Sequence, residues 1–122
     1  MYQVTFSNQC MGEINKLDKI EQLELIDTLA SITRAQLDQP EGDLGVFHRN
    51  HKDYYRLRKG DWRVYFELDE QENILRIVYI LHKHTLADFV FRFKLPFAEE
   101  TMIEQQDNFW QYIESLRNNE RK

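Results

Sequence analysis

Tyr2, Val4 and Phe6 alternate with Gln3 and Thr5, which predicts a short strand with one apolar face. Behind it the period lengthens. Met11, Ile14 and Leu17, then Ile20, Leu23, Ile26, Leu29 and Ala30, recur at helical spacing, and Leu25 and Ile32 broaden the stripe. Ser7 or Asn8 can cap the first helix, because a short polar side chain accepts from the free N–H groups of a first turn. Asp18-Lys19 marks a break between two packed helices. The second ends before Pro40, since the residue ahead of a proline avoids helical geometry.

The stretch DQPEGDLGVFHRNHKD (38–53) reads as a loop from its Gly, Pro, Asp and Asn content. Two strands follow around Lys59-Gly60. After the polar turn DEQEN, the run ILRIVYIL (74–81) is apolar on both parities, which predicts a central strand buried on both faces. Leu86, Phe89, Val90 and Phe93 stand at i, i+3, i+4 and i+7, with Thr85 and Asp88 placed as a capping pair, and predict a short helix. Beyond Pro96, the residues Ala98, Met102, Phe109, Ile113 and Leu116 form the apolar stripe of a C-terminal amphipathic helix. Its other face is acidic and amidic. The expected order is β-α-α-β-β-β-α and one further helix. That is an α+β fold in which an antiparallel sheet packs against an N-terminal helical hairpin. Residues 1–94 read as one domain, and 95–122 as a helical extension packed on that domain or on a partner.

Composition narrows this picture. A chain of 122 residues with 42% hydrophobic content carries one core and is too apolar for disorder. The net charge of −5 argues against a non-specific nucleic-acid binder, yet it is unevenly spread. Residues 1–45 carry a net −5, 46–94 a net +3, and 95–122 a net −3. A single cysteine, Cys10, excludes an internal disulfide and reads as a small apolar residue in a reducing compartment. The N-terminus lacks the layout of a signal peptide, and no apolar run approaches the roughly 20 residues that span a bilayer. A soluble, cytoplasmic protein without membrane contact is expected.

The basic centre concentrates on YYRLRKGDWRVYF (54–66). With Lys59-Gly60 as a two-residue loop, Arg58 opposes Asp61, Leu57 opposes Trp62, Arg56 opposes Arg63, Tyr55 opposes Val64 and Tyr54 opposes Tyr65. One face is then Tyr55, Leu57, Trp62 and Val64. The other is Tyr54, Arg56, Arg58, Asp61, Arg63 and Tyr65. Two facing guanidiniums about 5 Å apart at Cβ suit a phosphodiester, since each presents a rigid fork of donors. Tyr54 and Tyr65 can stack on a base, and Arg49, Lys52 and Lys59 lie close in sequence. The alternative is a solvated strand face whose arginines pair with acids such as Glu67. His82 and His84 end the apolar strand on a shared face. They suit general acid–base work near the arginines, or are plain strand-end residues. No carboxylate or cysteine stands beside them or beside His48 and His51 in a metal-binding pattern, so no metal or other cofactor is expected.

Taken together, Tyr55-Arg56-Leu57-Arg58, Gly60-Asp61-Trp62-Arg63, the acidic turn Asp69-Glu70, the strand at 74–81 and His82-Lys83-His84 closely resemble the RelE/ParE superfamily of bacterial toxin–antitoxin systems. The resemblance covers roughly residues 2–93. It implies a metal-independent mRNA interferase acting on translating ribosomes, in which a ribose 2′-hydroxyl attacks the adjacent phosphate. Arg56, Arg58 and Arg63 would clamp that phosphate and stabilise its growing charge. His82 or His84 would move protons, assisted by Lys83. Arg49, Lys52, Lys59, Tyr54 and Tyr65 would hold RNA. ParE-like members keep the fold and bind DNA gyrase, so the alternative is a catalytically inactive binding protein. A cognate antitoxin is the implied partner, beside ribosome and mRNA for an active nuclease. The chain departs from the pattern in three ways. Phe89-Val90-Phe91 stand where many RelE-type nucleases carry a tyrosine, the net charge is acidic, and about 28 residues follow the family core. That acidic extension is expected to shield the arginine face, or to form a homodimer through its helix.

Overall fold

The computed structural model describes residues 2–120, for 117–120 the helical backbone alone. One five-stranded sheet forms its centre, from β1 (Gln3–Phe6), β2 (Leu44–Arg49), β3 (Lys52–Lys59), β4 (Trp62–Asp69) and β5 (Ile74–His82), in the order β1-β5-β4-β3-β2. Strands β2 to β5 are antiparallel neighbours, while β1 lies parallel to β5 with Gln3 opposite Ile74. The sheet is therefore mixed at that edge. No tight turn joins β1 to β5, so nothing imposes the antiparallel direction there.

Two expectations about the hairpins are corrected. The stretch 38–53 is not all loop, because β2 lies within it and turns into β3 through Asn50-His51. Both residues have positive φ, 53° and 62°, as a I′ hairpin turn demands. The polar turn residues on either side masked a strand whose Leu44 and Phe47 are buried. In the next hairpin the loop is Gly60-Asp61, not Lys59-Gly60, and Lys59 opposes Trp62. Gly60 carries the positive φ, 58°, that this turn needs at its first position. Pairing partners thus change: Arg58 opposes Arg63, Arg56 opposes Tyr65 and Leu57 opposes Val64.

Helices cover both faces. On one side lie α1 (Asn8–Ile14), α2 (Lys19–Ala30) and α3 (Arg34–Asp38). Ser7 caps α1 by accepting from the Cys10 amide, Asp18 caps α2, and Thr33 with Gln36 closes a capping box on α3. The second helix therefore stops at Ala30, well before Pro40. Cys10, Ile14, Leu25, Leu29, Ile32 and Leu37 pack on Leu57, Val64, Phe66, Leu75, Ile77 and Ile80. The broad apolar stripe of α2 is only half used. A helix on a sheet buries one line of side chains, here Leu25 and Leu29, and leaves Ile20 (69% exposed), Leu23 and Ile26 outside.

On the other side lie α4 (Lys83–Arg92), α5 (Glu100–Glu104) and α6 (Asp107–Glu120). The single C-terminal helix expected from the stripe is two helices, interrupted at Gln105-Gln106. Phe109, Trp110, Ile113 and Ile103 join Phe47, Tyr65, Leu81, Leu86 and Phe89 in a second core. Phe109 and Ile113 of the predicted apolar stripe are therefore covered by this chain itself. Nor does Thr85 cap α4. The cap is His82, whose Nδ1 accepts from the His84 amide. No described helix is long and apolar enough to cross a membrane.

Candidate functional site

Strand parity places Tyr54, Arg56 and Arg58 of β3 with Arg63 and Tyr65 of β4 on the face covered by α4–α6, as read from the sequence. The register differs by two positions from the expected one, and a shift of two preserves faces. What stands opposite is new. Arg56 lies between Tyr65 and, on β2, Gly45. A Cβ at Gly45 would sit 2.4 Å from Arg56 Nη2, so glycine gives the guanidinium its space across β2.

Arg56, Arg58 and Arg63 each meet a carboxylate from α5. Glu104 is fully buried (0% exposed) and accepts from Arg56 Nη1 at 2.7 Å and from the Tyr65 hydroxyl at 2.7 Å. Thr101 Oγ1 lies 3.3 Å from the same Nη1. Glu100 bridges the other two. Arg63 donates through Nε and Nη2 at 3.0–3.1 Å, and Arg58 through Nε at 3.0 Å. The remaining Arg63 nitrogen, Nη1, donates to the carbonyls of Gly60 and Trp62. Arg56 and Arg63 are 5% and 8% exposed. The chain's own acids thus cover this cationic face, although the buried Arg56 Nε is left without a partner among the described residues.

The electrostatics of the two acids differ. Burial pushes Glu104 up, Arg56 and the Tyr65 hydroxyl pull against it, and the net direction is upward. Burial likewise raises Tyr65 far above the ordinary phenol range, with the Glu104 charge adding to it. For Glu100 burial acts upward, but hydrogen bonds and charge from Arg63 and Arg58 outweigh it and leave its carboxyl below the usual value. Glu100 is thus an anion at neutral pH, held by two cations.

The histidines do not join this face. Strand β5 carries a bulge, because Tyr65 opposes Tyr79 while Phe66 opposes Ile77, leaving Val78 extra. The bulge inverts parity beyond it, so Ile80 and His82 face the α1–α3 side while Leu81 sits opposite Arg63. His82 packs edge-on against Trp62 and stacks on His84. Lys83 pairs with Asp61 at 3.0 Å, and its hydrogen bond, then its charge, lower the Asp61 carboxyl. The remaining candidates have other partners. Arg49 lies over the Trp110 ring near Asp107, Lys52 pairs with Glu67, Lys59 flanks the hairpin turn, and Tyr54 stacks on Phe47. Tyr65 is fully buried, so no base can stack on it in this state. Among the described residues no three His, Cys, Asp or Glu side chains cluster as a metal site.

Sequence reasoning missed Glu104 and Glu100 as individual partners, together with Gly45 and Trp110. The available signal was the i, i+4 spacing of the two acids, which puts both on one side of a helix. Trp110 Nε1 donates to the Glu104 carbonyl at 2.8 Å and ties the end of α5 to α6.

The fold is similar to those of solved toxin–antitoxin structures, among them two. A chain of the archaeal RelE–RelB complex from Pyrococcus horikoshii OT3 superposes with a TM-score of 0.55 at 18% identity, covering 67% of this chain and 94% of that one. A chain of the toxin–antitoxin complex RelBE2 from Mycobacterium tuberculosis gives 0.50 at 16% identity, covering 66% and 96%. No curated protein matches the chain. The family model described as ParE toxin of type II toxin-antitoxin system, parDE, matches residues 4–86, which include the whole arginine hairpin and exclude Glu100 and Glu104. By that match the chain belongs to the family of ParE toxins of type II toxin–antitoxin systems, within the RelE/ParE superfamily.

Proposed function

We propose that this toxin acts by binding a protein target of gyrase type, is held silent by a cognate antitoxin, and does not cut RNA while its arginine face is closed. One observation carries the reading: Arg56, Arg58 and Arg63 all pair with Glu100 or Glu104, so two carboxylates already occupy the place of the charge that a phosphorane-like transition state would present. His82 on the opposite side with His84 stacked on it, and Phe89-Val90-Phe91 without a hydroxyl, add to it. The exposed Ile20, Leu23 and Ile26 are surface of the kind that protein interfaces cover. The antitoxin partner follows by analogy with the RelE–RelB complexes.

The test pairs two assays on the full chain. Ribosomes programmed with mRNA should leave the message intact at excess toxin, and gyrase supercoiling should be inhibited. Message cut by wild type and spared by Arg63→Ala would overturn the proposal. A second reading, the metal-independent mRNA interferase, is favoured by one feature. Arg58 and Arg63 converge on two oxygens of one anion, as they would on a phosphodiester. It requires Glu100 to leave.

A further inference from the structure

We infer that α5 is a two-part strap in which Glu100 is a releasable latch occupying a latent binding site for single-stranded RNA backbone on Arg58 and Arg63. The inference deepens the closed-site reading above and concerns the regulation of that face.

The two carboxylates are built differently. Glu104 is an anchor: its partner Arg56 and its own side chain are sealed, Tyr65 donates to it, and Trp110 fixes its carbonyl. Glu100 is held at the rim, with its side chain 22% exposed and that of Arg58 39% exposed. Apart from Glu100, the first turn of α5 has one side-chain tie among the described residues, the long 3.3 Å contact of Thr101 Oγ1 with Arg56 Nη1, and Glu99 at the N-cap makes no side-chain capping bond. The helix has only five residues, so it brings little intrinsic stability to the first turn. Lifting that turn frees the donors of Arg58 and Arg63 while Glu104 and Ile103 keep the rest of the strap seated.

The site beneath is shaped for an anion. Two guanidiniums on opposed strand positions present Nε of Arg58 and Nε with Nη2 of Arg63 toward one point. Arg63 is fixed there by its bonds to the Gly60 and Trp62 carbonyls, so the fork stays preorganised when Glu100 departs. Both acids lie beyond residue 86, outside the family match, so the latch belongs to this chain's extension.

Fluorescence anisotropy with a labelled oligouridine at low salt, on the full chain, tests this. Glu100→Gln should bind about tenfold tighter than wild type, with affinity falling as salt rises. Adding Arg58→Ala should return it to the wild-type level. A folded Glu100→Gln that binds no better than wild type overturns the inference, as does a gain that persists with Arg58→Ala. Hydrogen exchange on unmodified wild type gives an independent check. Excess oligouridine should speed exchange at the Ile103 amide, which donates to Glu99, and unchanged exchange with RNA bound counts against the latch. Failure here leaves the protein-binding proposal standing, whereas cleavage by wild type overturns that proposal and not the latch.

Discussion

Glu104 decides the most about this fold for a single side chain. Taking it and Arg56 out of water costs several kcal/mol per ion, and the attraction between them offsets that only with good geometry and further hydrogen bonds. The 2.7 Å contacts to Arg56 and Tyr65 provide it. Glu104→Ala leaves a buried guanidinium without an anion and should destabilise by about 3–5 kcal/mol. The double variant Arg56→Met with Glu104→Leu removes both charges and should cost less than Glu104→Ala alone. Urea unfolding of the set measures this, and a double variant worse than the single would show that the charges are not the source of the loss. Gly45→Ala should cost about 1–3 kcal/mol by overpacking, because Arg56 is pinned and cannot swing from a methyl 2.4 Å away. Full stability in that variant would mean that the guanidinium can move. Glu100 supplies the pH dependence. Its folded carboxyl lies below the ordinary 4.5, so the stability it contributes is present above 4.5 and is lost as pH falls through the lower folded value. Thermal melts of wild type and Glu100→Gln should differ at pH 7, and the gap should narrow as pH falls below 4.5. A constant gap would contradict the pairing.

At the scale of elements, α5 and α6 act as one clamp because Trp110 crosses the break between them. Its indole donates to the last carbonyl of α5, and its ring packs among Phe47, Tyr65, Tyr79 and Phe109. Trp110→Phe keeps much of that packing and loses the donor, which leaves a buried carbonyl unsatisfied at a cost of about 1–3 kcal/mol. Calorimetry checks this, and an unchanged Tm would mean that water replaces the indole. The strand faces of the hairpin were legible in the sequence because alternation survives a shift of two residues, whereas the opposed pairs were not, since they depend on which residues make the turn. The side of His82 was hidden for a similar reason. A single extra residue, Val78, inverts parity, and nothing in ILRIVYIL marks it. The exposed half of α2 was not legible, because helical periodicity says which residues align and not how many of them a flat sheet can cover. Opposite net charges suggested that the acidic tail meets the arginine face. Which acid meets which arginine is a long-range contact that local pattern does not encode.

The whole molecule is one sheet between two cores built from different parts of the chain, residues 8–38 on one face and 83–116 on the other. The two sides should open differently. Removing α6 exposes Phe47, Tyr65, Leu81 and Phe89 and so amounts to unfolding much of the sheet, while lifting the first turn of α5 exposes little apolar surface. Native-state hydrogen exchange in graded urea separates these motions, because the denaturant slope reports the surface uncovered. The Ile103 amide, bonded to the Glu99 carbonyl at 3.1 Å, should exchange with almost no urea dependence. Amides of β4 and β5 should follow the steep slope of global unfolding. Raising salt toward 1 M, where the screening length shrinks to about 3 Å, should hasten exchange at Ile103 by weakening the rim pair of Glu100 with Arg58. It should leave the central strands unchanged, since the Glu104–Arg56 pair is sealed from ions. If Ile103 instead exchanged with the same slope as the central strands, the strap would be an integral layer of the fold, opening only when everything does, and the arginine face would be permanently closed.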